Sequence, residues 1–299
     1  MVDKNLVINI NKPEGMTSQQ AVTKVKHIFS VRKAGHAGTL DPIATGILLV
    51  CTNEATKITR FLADTDKEYV VLIKLGERTD TFDSEGKIIH KVEHFSLDED
   101  RIKTVLERFK GAIKQTPPMY SATKVSGQPL YKLARKGIEV ERPHKDINIY
   151  ELDIIRFASP FLEARVLCSK GTYIRALCDD IGTALGVGAH VAALKRTRIG
   201  DFRIEDSAEL DELPDKVYDP YRGKSICSID SALKHFKDII LTHHDFRKAI
   251  NGMQIAPEGL SGLPVNSYLR LKSPEGKLFA IGKVTPSAVR VERLLLRSL

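Results

Sequence analysis

The sequence predicts an α+β fold with a mixed, mostly antiparallel sheet, followed by a small C-terminal β-barrel. Three observations carry this. Strand-like runs and amphipathic helices are interspersed, without the regular βαβ alternation that builds a parallel sheet. At 299 residues the chain is long for one domain and comfortable for two. Beyond residue 235 it turns to short strands with glycine turns, the pattern of a small barrel. The boundary is therefore placed at 235, giving units 1–235 and 236–299.

The elements follow in order. Residues 6–10 read as a strand and "NKPEGMTS" (11–18) as a loop. A helix then opens with Ser18 as N-cap and carries Ala21, Val22, Val25, Ile28 and Phe29 on one face. A glycine-rich loop leads to a strand at 47–51 and a short helix at 54–63. "KEYVVLIKLG" (67–76) is a β-rich run, "TDTFDSEG" (79–86) a polar turn, and "KIIHKV" (87–92) β-rich again. "SLDE" (96–99) reads as a capping box opening a helix on Ile102, Val105, Leu106 and Phe109. Residues 115–129, rich in Pro, Ser and Gly and carrying Tyr120, read as a loop. Strands are expected at 146–156 and 161–168 and a helix at 173–185. In the C-terminal unit, two β-rich runs flank the "SPEG" turn within 267–284, with a last strand at 288–296.

Hydrophobic residues make up 42% and charged residues 28%, an ordinary globular balance with matter for a sizeable core. "MVDKNLVINI" lacks the pattern of a secretory signal, and no apolar run reaches the length of a membrane span. The four cysteines (Cys51, Cys168, Cys178, Cys227) form no CxxC pair, so neither a zinc site nor a disulfide framework is suggested. A cytoplasmic location is expected. The net charge is +8, and residues 236–299 hold ten Lys/Arg against five Asp/Glu. That excess favours a polyanionic partner, although basic proteins that bind no nucleic acid are common.

Two residues stand out chemically. In "AGHAGTLDPIATGILLV" (34–50) a lone carboxylate, Asp41, sits at the rim of a hydrophobic run, after glycines that let a backbone bend and approach a ligand. Pro42 pushes Asp41 towards an extended conformation. A tight turn, with Asp41 bonding its own backbone, accounts for the stretch as well as a site does. Neither GxGxxG nor GxxxxGK[ST] is present, so this is no nucleotide loop. Arg175 lies in the first turn of its helix, where the dipole disfavours a cation. It is either a solvated surface residue or the partner of an anion. Tyr69 reads as a sheet residue among valines, and Asp179 and Asp180 as solvent-facing or ion-paired. His243 and His244 lack partners at metal-ligand spacing and suit a surface turn.

Together, "NKPEGMTS", "GHAGTLDPIATGILLVC", "KEYVVLIKLGERTDTFDSEG", "TPPMYSATKVSGQPLYKLARKG" and "SKGTYIRALCDDIGTALGVGAHVAALKRTRIG" occur in an order that resembles the TruB family of bacterial tRNA pseudouridine-55 synthases. The C-terminal segment resembles a PUA domain more weakly, mainly through "LFAIGKV". The resemblance implies an isomerase that turns uridine 55 of the tRNA T-loop into pseudouridine on a flipped-out base, without metal or organic cofactor. Asp41 is implied as nucleophile, Tyr69 as the ring stacking on uracil and assisting proton transfer, and Arg175 as the salt-bridge partner of Asp41. His36 is implied to enter the RNA loop, Leu194 to pack on the active site, and Lys12 and Pro13 to belong to a motif beside the pocket. Tyr120 is expected to contact substrate together with the 115–129 loop. The implied partner is the T-arm of tRNA, with no membrane and no obligate protein partner. Two alternatives remain open: a guide-RNA-dependent relative of the dyskerin type, and a non-catalytic RNA-binding or tRNA-folding protein.

Overall fold

Strict alternation explains the best-defined strand. Along Lys67–Leu75, Lys67, Tyr69, Val71, Ile73 and Leu75 are buried and the residues between them are half-exposed. Ala44–Thr52 is instead buried almost throughout, as a strand covered on both faces must be. These strands belong to an eleven-stranded sheet in a computed structural model that describes residues 4–121, 123–125, 127–219, 221, 223–260 and 262–295. Its main path runs Ala208–Glu209, Leu6–Lys12, Ala44–Thr52, Ala189–Ile199, Lys67–Leu75, Phe161–Cys168, Lys145–Ala158 and Gly111–Gln115. Ala34–His36 pairs with Ala44–Thr52, Ile226–Ser228 with Leu6–Lys12, and Phe202–Arg203 with Ala189–Ile199. Pairing is antiparallel except where Ala208–Glu209 meets Leu6–Lys12 and where Ala189–Ile199 meets Ala44–Thr52.

The sheet is covered on both faces. The helices Glu99–Glu107 and Ile174–Leu185 pack on one side with Val71, Ile73, Leu162 and Val191. Ser18–Ile28 extends that side over Ile8, Ile10, Leu48 and Val50, whereas Asn53–Ile58 and Thr59–Ala63 cover Val7, Ile47, Leu49 and Cys51 on the other. At the C-terminus, Lys237–Ile240, Tyr268–Lys272, Leu278–Val284 and Val289–Leu294 form a separate four-stranded sheet in that order. Phe279, Leu271 and Val289 centre its core, and Ile255 adds a bridge to Val289. The two sheets meet through a shared apolar cluster that includes Phe61, Leu233, Phe236, Tyr268, Ile281 and Leu295.

Several local expectations shift. The N-cap of Ser18–Ile28 is Thr17, which forms a capping box with Gln20, while the Ser18 hydroxyl bonds the Leu40 backbone instead. The "SLDE" helix starts later, on Asp98, whose carboxylate accepts from the Arg101 N–H at 2.7 Å. The helix expected at 54–63 is a 3₁₀ segment, Asn53–Ile58, followed by one α turn, Thr59–Ala63. His243 and His244 open a helix, His243–Ile250, capped by Thr242, rather than a turn. Asp179 is buried and paired with Arg78, whereas Asp180 is exposed.

Candidate active site

The glycine-rich stretch is clamped from three sides. Ser18 Oγ accepts from the Leu40 N–H at 2.8 Å and donates to the Leu40 carbonyl at 2.9 Å. Lys12, wholly buried, donates from Nζ to the carbonyls of Pro13 (2.8 Å), Met16 (2.7 Å) and Pro42 (3.4 Å). Arg196, buried as completely, donates to the carbonyls of Ile47, Thr39 and Gly38. Asp41 does lie in a turn, since its carbonyl accepts from the Ala44 N–H, but its carboxylate points elsewhere. It faces a cavity of about 260 Å³ with its side chain 36% exposed.

Arg175 Nε stands 2.9 Å from Asp41 Oδ2. The same guanidinium donates to Asp83 Oδ2 (3.1 Å) and to the carbonyls of Thr81 (3.1 Å) and Tyr120 (2.8 Å). Two carboxylates therefore offset the helix dipole at a position that otherwise disfavours a cation. Asp83 is itself held, accepting from Thr81 Oγ1 at 2.6 Å and the Glu85 N–H at 3.2 Å. Its turn depends on Gly86, where a Cβ would lie 2.2 Å from Thr81 Oγ1.

Lys67, Tyr69, Tyr173, Leu194 and Arg196 line the cavity with Asp41 and Arg175. Burial raises the Tyr69 phenol above its ordinary value, which favours the neutral hydroxyl. Burial pulls Lys67 down to about 8, and its ammonium bonds the carbonyls of Ala63 and Thr65. Tyr173 is fixed by Gln115, which accepts from its N–H and donates to its carbonyl. That exchange ties the base of the 115–129 segment to the site, and Gln115, Pro117, Pro118 and Ser121 are buried there. Residues 122 and 126 lie outside the described residues.

A second cavity of about 320 Å³ shares Thr39, Asp41, Ser121 and Arg175, and is walled by Tyr120, Tyr131 and Arg135. Tyr120 lines this chamber and not the first. His36, on the strand Ala34–His36, is half-buried, lines neither cavity, and has a buried Nδ1 without a partner. Burial first, and the charge of Arg196 second, hold it below the ordinary histidine value. Pro13 is exposed and Lys12 lies under the loop, so both stand beside the cavity rather than in its wall. Among the described residues no group of three or more His, Cys, Asp or Glu side chains is arranged to hold a metal ion. Nor is any described helix long and apolar enough to cross a membrane.

Sequence reasoning did not find Asp83, Tyr173 or Arg196. Asp83 lay inside what read as a polar turn. Arg196 lies in a strand whose Lys195, Thr197 and Arg198 disguise its burial; only the proximity of Leu194 hinted at it.

The fold that carries this cavity is that of an RNA pseudouridine synthase. Residues 26–174 match the family described as "TruB family pseudouridylate synthase (N terminal domain)", and residues 175–245 the "tRNA pseudouridylate synthase B C-terminal domain". The chain belongs to the TruB family and is an enzyme of uridine isomerisation. It is 40% identical to the tRNA pseudouridine synthase B of Clostridium tetani, over 97% of this chain and 99% of that protein. The protein of that name from Francisella philomiragia is 51% identical over 76% of this chain and 75% of its own length. Among solved structures, a Cbf5–Nop10–Gar1 complex matches with TM-score 0.77 and 29% identity, covering 98% of this chain and 85% of that one. An H/ACA RNP bound to a substrate RNA containing 2′-deoxyuridine matches with TM-score 0.74 and 27% identity, over 98% of this chain and 86% of that one.

Proposed function

We propose that the chain converts uridine 55 in the T-loop of tRNA to pseudouridine, with Asp41 as nucleophile and the target base turned out of its stack into the cavity. The observation that carries the reading is a partly exposed carboxylate at the cavity, held against a buried guanidinium 2.9 Å away. The guanidinium fixes the direction in which the carboxylate faces the cavity. In the reaction the N1–C1′ bond breaks, the base turns, and C5 bonds to C1′. The proton leaves C5 and N1 acquires one, so the product is an isomer of the substrate. A covalent adduct through Asp41, on the sugar or on the base, divides this into easier steps. Tyr69 supplies a face for uracil and a neutral hydroxyl near the sugar, and Leu194 packs beneath it. A base must leave its stack to reach Asp41. His36, Tyr120 and the 115–129 segment meet the opened RNA loop, whose shape and splayed bases are read.

The C-terminal unit, 236–299, acts as a PUA-like RNA-binding domain. Its exposed Lys237, Arg247, Lys277 and Arg293 suit phosphates. Work on tRNA places the enzyme in the cytoplasm. The tRNA pseudouridine synthase B of Clostridium tetani aligns over 97% of the chain at 40% identity, which favours a stand-alone enzyme over a guide-dependent one. Purified protein should form pseudouridine at position 55 of an unmodified tRNA transcript with no added RNA or protein. Activity that appears only with a guide RNA or partner proteins would transfer the chain to the other class.

A further inference from the structure

Among the described residues, Arg196 is the largest side chain buried below 2% exposure. Its Nε donates to the Ile47 carbonyl at 2.9 Å, and its terminal nitrogens reach the carbonyls of Thr39 (3.4 Å) and Gly38 (3.2 Å). These carbonyls lie on both sides of Asp41 along the chain. No carboxylate within ion-pair distance accompanies it among the described residues. A buried guanidinium answered only by carbonyl dipoles is a poor way to stabilise a core, because an apolar chain of that volume avoids the desolvation cost.

Register explains how it gets there. In the sheet Arg196 stands opposite Gly46 on one neighbour and opposite Tyr69 on the other. Gly46, at φ +101°, has room for no side chain, since a Cβ would lie 2.2 Å from the Arg196 carbonyl oxygen. On its other side Arg196 is the cross-strand neighbour of Tyr69, and both line the cavity that Asp41 faces. Its charge also reaches Lys12, His36 and Lys67, lowering the proton affinity of each. One side chain thus holds the backbone flanking Asp41 and shares the cavity wall with Tyr69.

We propose that Arg196 is a positioning residue that sets the reacting geometry of Asp41, by fixing the glycine loop on both sides of it, and seats Tyr69 against it. The proposal rests on the reading of Asp41 as nucleophile.

The test compares Arg196→Met, Arg196→Lys and Asp41→Asn in the full chain on an unmodified tRNA transcript, recording single-turnover rate, tRNA affinity and melting temperature. Arg196→Met should slow the single-turnover step at least thirtyfold while affinity stays within threefold. Arg196→Lys, which restores the charge and part of the hydrogen bonding, should regain at least threefold of that loss. A folded Arg196→Met enzyme within threefold of the wild-type rate would overturn the proposal. So would equal losses of rate and affinity, absence of rescue by lysine, or failure of both variants to fold, each of which makes Arg196 structural only. An active Asp41→Asn enzyme overturns the nucleophile reading itself. An inactive Asp41→Asn beside a normal Arg196→Met overturns the Arg196 proposal alone.

Discussion

Arg175 bridges two carboxylates of different standing: Asp41 at 2.9 Å, with its side chain 36% exposed, and Asp83 at 3.1 Å, with 5%. The buried partner anchors the guanidinium, leaving its other edge to hold the partner that faces the cavity. The ion pair is therefore a mount for Asp41 rather than a surface ornament.

Asp83→Asn keeps the shape of that anchor and removes its charge. Turnover should fall at least tenfold, about 1.4 kcal/mol in barrier, with little change in tRNA affinity. Stability should drop as well, towards the roughly 3–5 kcal/mol that breaking a buried pair costs. Urea unfolding and single-turnover assays on one preparation check both. Wild-type turnover in a folded variant would show that Arg175 needs no anchor.

Gly46 and Gly186 share a positive φ, +101° and +81°, but only Gly46 faces backbone at 2.2 Å. Gly186→Ala, at the end of the helix Ile174–Leu185, should cost about 1 kcal/mol through backbone strain alone. Gly46→Ala should cost that plus roughly 1–3 kcal/mol of overpacking and should depress activity by displacing Arg196. Equal losses of melting temperature would mean that the sheet opens freely at this register.

The basic excess of residues 236–299 is not all available to RNA. Arg270 and Lys272 are each paired with both Asp230 and Asp238, and Arg290 lies 3.3 Å from Glu292. Neutralising exposed Lys277 and Arg293 with glutamine should weaken tRNA binding and lower the salt slope by about one unit for each phosphate that these side chains engage. Arg270→Gln should instead lower the melting temperature and leave the slope alone. Removing everything after residue 235 should expose Phe61 and Leu233 from the shared cluster, so that truncation is expected to aggregate. Titrations across a salt series separate these cases, and an unchanged slope in the Lys277/Arg293 double variant contradicts the assignment.

Burial lowers both Lys12 and Lys67 to about 8 from 10.5. Between those values the folded protein has released protons that the unfolded chain retains, so unfolding takes protons up. The contribution of these groups to stability therefore rises with pH from about 8 towards 10.5 and is flat below 8. Urea midpoints at pH 8 and pH 10 should show a smaller rise in Lys12→Met than in wild type. The same slope in both would mean that Lys12 titrates normally.

Much of the site was legible because its anomalies are local. Asp41 follows a glycine run and precedes a proline, and Arg175 sits where a helix dipole opposes it; each is visible within a few residues. Asp83 and Arg196 were hidden because their burial is a property of register. Arg196 is sealed by Gly46 and Tyr69 on adjacent strands and by the glycine-rich loop, and its own strand, "AHVAALKRTRI", alternates too poorly to declare a buried side. Likewise Ser18 looks as good a cap as Thr17; what assigns the cap is that Leu40, far along the chain, engages the serine hydroxyl. Patterns of period two and 3.6 located most strands and helices, while close approach between distant segments decided which polar residues lie inside.

The most direct measurement is single-turnover formation of pseudouridine at position 55 of an unmodified tRNA transcript by Asp41→Asn, with tRNA affinity measured beside it. The substitution is nearly isosteric and removes only the charge that Arg175 holds. The expected result is no detectable product while the affinity stays close to wild type. Product formed at a rate within about tenfold of wild type (~1.4 kcal/mol) would contradict the nucleophile assignment, and Asp41 would then be the turn residue that its sequence context also allows.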